Sequence, residues 1–186
     1  VLALAAGPAL GRDPSGERVA ALLVLMQADL ARPAGAGIRA RLLENASVLP
    51  IMLREAAASG QEVARARRIH PQLRQGRTRD ARRAIDDLAR RHPFRPQAPA
   101  EPPARLRALG RDIHRQACAG CHDHPVPGVL LPAENLYNLA CVEPYPLLEA
   151  RLYLGVKGMA DAGYRNPFDA RERAALASWY RSGCAR

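Results

Sequence analysis

The sequence predicts an all-α protein, and three observations carry that expectation. Alanine, leucine and arginine dominate a chain of 186 residues that is 48% hydrophobic, a composition of strong helix formers. Aromatic residues make up only 4% of it, and β-branched residues are also few, which disfavours a large sandwich or barrel. Apolar residues recur at helical spacing in runs bounded by proline, glycine or a capping residue. There is enough apolar material for a core, so wholesale disorder is not expected. No run reaches the roughly 18 apolar residues that a transmembrane helix needs.

The elements follow in order. Asp13-Pro14 predicts the start of a first helix, with aspartate capping and proline at the first helical position. Val19, Leu22, Leu23, Met26 and Leu30 mark its inner face, and Pro33-Ala34-Gly35 ends it. A second run starts near Ile38 and passes through Leu42, Leu43 and Val48; Pro50 is expected to kink or restart it before Ile51, Met52 and Leu53. A third, basic run carries Val63, Ile69 and Leu73, with an interruption expected near Pro71. Thr78 is expected to cap a fourth, with Ala81, Ala84, Ile85 and Leu88 facing inward and Pro93 beyond its end. Four such helices suit a small bundle or half-bundle over residues 1–91. Residues 92–104 hold Pro93, Pro96, Pro99, Pro102 and Pro103, a stiff extended linker. Residues 105–186 form a second unit, small enough to need a covalent staple or a cofactor.

Charge narrows the partners. The net charge is +10, divided as +7 over residues 1–104 and +3 over 105–186. Between Arg65 and Arg95 there are 11 arginines against Asp80, Asp86 and Asp87. Such a stripe is either a solvated helical face or a surface for nucleic acid, an anionic membrane or an acidic protein, with oligomerisation through residues 1–91 a further option. Single-stranded nucleic acid needs stacking aromatics, and the stripe offers only Phe94. Nucleic acid is therefore not expected as a partner. Val1 to Gly11 is apolar and rich in small residues, like the end of a signal peptide around its cleavage site, which predicts a periplasmic or otherwise exported protein. An ordinary apolar arm packed on the body is the alternative.

Chemistry concentrates at Cys118-Ala119-Gly120-Cys121-His122. This Cys-x-x-Cys-His spacing is that of covalent c-type haem attachment, in which two thiols bond to one porphyrin and the histidine binds its iron. A dithiol redox site would want a thioredoxin-like βαβ context, which the helical pattern does not provide. A zinc site drawn from Cys118, Cys121, Cys141 and His124 is the other alternative.

The flanks of the motif resemble the single-haem, mostly helical c-type cytochromes with histidine–methionine ligation. Gly110-Arg111-Asp112-Ile113, starting eight residues before Cys118, resembles the family's N-terminal helix, whose glycine permits close crossing with the C-terminal helix. Asp169-Ala170-Arg171-Glu172, followed by Ala175, Leu176, Trp179 and Tyr180, is similar to that C-terminal helix with a capping box at its start. Leu147 to Met159 resembles the helix leading into the methionine loop. The resemblance covers about residues 105–183. It implies one covalent haem c on Cys118 and Cys121, His122 as proximal iron ligand and Met159 as distal ligand. It also implies a proline carbonyl holding the proximal histidine, with Pro125, Pro127 and Pro132 as candidates. The chain departs from the family in having Asp123-His124-Pro125 after the histidine and Ala160-Asp161 after the methionine.

Met159 lies 37 residues after His122 on a glycine-flanked segment, whereas Met26 and Met52 sit within apolar stripes and are expected to pack in the core. His70, His92 and His114 are expected at the surface or between helices. Cys141 and Cys184 remain, either as a structural disulfide in an oxidising compartment or as two buried thiols. The implied function is one-electron transfer between redox proteins. A catalytic or electron-entry subunit of an oxidoreductase complex, or a haem-based ligand sensor, would need the iron open.

Overall fold

The computed structural model describes residues 14–33, 35–96, 103–128, 133–155 and 166–184. Among them every regular element is helical, as the composition predicts. The elements are α1 (Pro14–Ala31), α2 (Ala36–Glu55), α3 (Gly60–Arg74), α4 (Thr78–Arg91), α5 (Pro103–Ile113), a π-helical turn (His114–Cys118), α6 (Ala119–His122), α7 (Leu136–Val142), α8 (Tyr145–Leu154) and α9 (Ala170–Arg181). No described helix is long and apolar enough to cross a membrane.

Helices α1 to α4 close around the stripes that the sequence marks. Val19, Leu22, Leu23 and Met26 of α1 meet Leu49 and Leu53 of α2, Val63 and Ile69 of α3, and Ile85 and Leu88 of α4. Full burial of such a side chain stabilises the fold by about 1.5–3 kcal/mol, so the shared stripe rather than propensity holds these helices. The restart allowed for at Pro50 and the interruption expected near Pro71 do not occur: α2 runs through Pro50 and α3 through Pro71. A proline inside a helix costs about 3 kcal/mol. The burial of Leu49, Met52 and Leu53 around Pro50, and of Ile69 and Leu73 around Pro71, offsets it. Thr78 does not cap α4 but is its first residue, after Arg77. Its hydroxyl donates to the Gly76 carbonyl at 3.4 Å, and Gly76 has φ +73°.

A second apolar cluster joins Leu136, Leu139 and Ala140 of α7, Leu148 and Leu152 of α8, and Leu176, Ala177 and Tyr180 of α9. Helix α8 serves both clusters, because Ala150, Tyr153 and Leu154 on its other side pack into the α1–α4 core. The Tyr153 hydroxyl also donates to the Pro14 carbonyl at 3.3 Å. Helix α9 opens with the expected capping box, in which Asp169 and Glu172 each accept from the other's backbone N–H. It crosses α5 at Gly110, where an added Cβ would stand 2.0 Å from the Ala175 carbonyl oxygen.

Candidate functional site

The Cys-x-x-Cys-His segment leaves α5 through the π-helical turn, where the Ala119 N–H reaches back to the His114 carbonyl. Such widened turns recur at functional sites. Cys118 ends the turn, and Cys121 and His122 occupy the short α6. Cys121 is exposed, while Cys118 and His122 are half-buried. Neither thiol is in a disulfide. Burial pushes the Cys118 thiol above its ordinary pKa, with a hydrogen bond from Tyr180 opposing that shift.

His122 is held by its Nδ1, which lies 2.7 Å from the Glu134 carbonyl oxygen. A carbonyl can only accept, so Nδ1 carries the proton and donates it. In the neutral ring this selects the tautomer whose lone pair is on Nε2, the form that binds a metal. The carbonyl is not one of the three proline carbonyls expected. Pro125 and Pro127 are exposed in the turn after α6, and Pro132 lies outside the described residues. The residues present fit a covalent haem: two thiols not paired with each other, followed by a histidine whose Nδ1 is engaged by a backbone carbonyl, so that Nε2 is the nitrogen left for a metal.

A buried polar network backs the motif. His114 is 2% exposed; its Nδ1 lies 3.0 Å from the Tyr180 hydroxyl and its Nε2 lies 3.1 Å from Asp123 Oδ2. The Tyr180 hydroxyl is also hydrogen-bonded with Cys118, and burial raises the phenol's pKa. The rings of Tyr137 and Tyr180 meet edge to face at 5.1 Å, and His114 packs against both. Four positions link His114 to Cys118 on one helical face, Asp123 returns from just after α6, nine positions on, and Tyr180 is brought in by the chain's long-range folding.

Met159 falls within residues 156–165, outside the described residues. The stem on either side is closed. Gly155 leaves α8 at φ +70°, and Asn166 donates from its backbone to the Tyr153 carbonyl at 2.9 Å and from its side chain to the Leu152 carbonyl at 3.0 Å. Met26 and Met52 are core residues as expected, at 0% and 3% exposure. His92 lies between helices, with Nε2 3.0 Å from Glu62 Oε1, and His124 is exposed.

The Cys141 and Cys184 sulfurs lie at disulfide distance, with Cα atoms 5.3 Å apart. The pair ties the end of α7 to the chain after α9 and removes Cys141 from the zinc quartet.

The arginine stripe spans α3 and α4. Asp87 gathers Arg65, Arg90 and Arg91, and Asp80 pairs with Arg83. Arg82 donates to the Leu30 carbonyl. Arg67, Arg68, Arg74, Arg77 and Arg79 are exposed and make no ion pair among the described residues.

No protein-family model matches the chain, and no curated protein or solved structure matches it significantly.

Proposed function

We propose that this chain is an exported single-haem c-type cytochrome that passes one electron at a time between redox partners. The observation that carries the reading is Cys118-x-x-Cys121-His122 with the His122 ring held through Nδ1, which leaves Nε2 as its donor atom. Support comes also from the backbone-close crossing of α5 and α9 at Gly110 and from a cysteine pair suited to an oxidising compartment.

Bound at this motif, haem supplies a reversible one-electron couple at its iron. Cys118 and Cys121 hold the porphyrin through thioether bonds to its two vinyl groups, and His122 offers Nε2 as proximal ligand. The Glu134 carbonyl fixes the plane and tautomer of that ring. Met159 would be a second protein ligand to the iron in this reading, and its soft thioether sulfur would favour the reduced metal. The exposed arginines of α3 and α4 form the face toward an acidic redox protein, where charge complementarity raises the encounter rate.

A reductive titration followed optically tests the carrier reading. The expected result is one electron per chain, six-coordinate low-spin spectra in both states, and no carbon monoxide uptake by the reduced native protein. High-spin iron, or carbon monoxide binding without denaturant, would overturn the carrier in favour of a catalytic or ligand-sensing haem.

A further inference from the structure

Glu134 has two attachments, one through its backbone and one through its side chain. Its backbone carbonyl accepts from His122 Nδ1 at 2.7 Å. Its carboxylate accepts from Arg32, just past the end of α1, at 3.2 Å, and lies 3.7 Å from Arg41 of α2. Glu134 precedes α7 outside any helix, next to the capping residue Asn135. Its carbonyl is outside the helical ladder, so its direction depends on the Asn135 cap and on what holds the side chain.

Those anchors are themselves fixed. Arg41 grips Asp29 of α1 with two hydrogen bonds of 2.8 and 2.5 Å, and that carboxylate is 1% exposed. Arg32 also reaches Glu143 at 3.1 Å, and Glu143 takes two bonds of 2.8 Å from Arg151 of α8. The result is a row of six alternating charges, Asp29, Arg41, Glu134, Arg32, Glu143 and Arg151, running from the first two helices to α8. Planar guanidinium forks suit this role, because each holds a carboxylate in one orientation.

We infer that Arg32 and Arg41 are positioning residues for His122: through Glu134, helices α1 and α2 set the strength of the Nδ1 hydrogen bond and so the donor strength of Nε2. The inference rests on the haem reading for its redox consequence, but the hydrogen bond itself belongs to this chain. A firm Nδ1 hydrogen bond makes the imidazole a more basic ligand, which favours the oxidised metal. Loosening it should raise the reduction potential.

The test is Glu134→Ala, which keeps the backbone carbonyl and removes the carboxylate that the two arginines hold. Two quantities are read in the haem-loaded protein: exchange of the His122 Nδ1 proton by NMR, and the reduction potential. Faster exchange together with an upward shift in potential is the expected result. Glu55→Ala, which breaks the Arg18–Glu55 pair of α1 and α2, should move neither, so a general loss of stability is separated from positioning. Should Glu134→Ala fail to fold, Glu134→Gln gives the same readings with the side chain's shape retained and a smaller change in the same direction. Unchanged exchange and potential in a folded Glu134 variant would overturn the inference while leaving the haem reading intact. If the chain carries no haem, ring nitrogen shifts of His122 in the unloaded protein still decide it: the Nδ1–H tautomer must weaken in Glu134→Ala and not in Glu55→Ala.

Discussion

Gly110 and Ala175 bring α5 and α9 into backbone contact: a Cβ on Gly110 would stand 2.0 Å from the Ala175 carbonyl oxygen and 2.8 Å from Trp179 Cβ. Backbone cannot yield as a flexible side chain can. Gly110→Ala should therefore destabilise the protein by about 3 kcal/mol, toward the upper end of overpacking costs, against a helix-propensity gain of about 1 kcal/mol. Urea unfolding checks this, and equal or greater stability would contradict the crossing.

Cys141 and Cys184 should be protected from alkylation in native, non-reduced protein. The two residues are separated by 43 positions. Closing such a loop is worth about 4 kcal/mol in the chain-entropy model. The Cys141→Ser, Cys184→Ser double variant should lose stability on that scale, and two alkylatable thiols at these positions in native protein would rule the bond out.

The start of α3 gives a pH-dependent term. Ser59 and Glu62 form a reciprocal cap; the Ser59 hydroxyl hydrogen bond, helped by the Ser59 backbone N–H and by His92, holds the Glu62 carboxyl below its ordinary pKa. A depressed folded-state pKa means that the stabilisation is complete above the unfolded value, near about 4.3. It is lost as pH falls through the lower, folded one. Ser59→Ala should cost about 1 kcal/mol at neutral pH, and the gap to wild type should narrow in acid. A gap that stays constant or widens with acidification would contradict the cap.

What could be read from the sequence was what short spacings encode. The stripes of α1 to α4 and the Asp169–Glu172 box are local patterns, and the described residues follow them; the Gly110 crossing was an expectation from the resemblance, since it joins distant positions. Pro71, and the restart that Pro50 also allowed, were misleading because a local rule met a tertiary one: the helices continue where Leu49, Leu53, Ile69 and Leu73 are buried. The partner of His122 was illegible for a different reason. Every residue has a carbonyl, so nothing distinguishes Glu134 until the chain has folded. The Tyr180–His114–Asp123 network and the Arg32–Glu134 contact were hidden likewise, since they join residues 66 and 102 positions apart at their widest.

Met159 should behave as the sixth ligand. On the proposed reading its thioether is a soft donor, and loss of that donor should lower the reduction potential. Met159→Ala should abolish the weak sulfur-to-iron charge-transfer band of the oxidised protein and open the iron to carbon monoxide. Identical spectra and potential in the variant would remove Met159 from the ligand set.

Covalent attachment of haem to Cys118 and Cys121 underlies the whole account, and intact mass after acid–acetone extraction measures it most directly. Protein exported and matured in a host that attaches c-type haem should retain the mass of one haem per chain and its colour after extraction. Cys118→Ser, Cys121→Ser should retain neither. Wild-type protein that yields all its colour to the solvent, or shows only the mass of the bare polypeptide, would contradict the account.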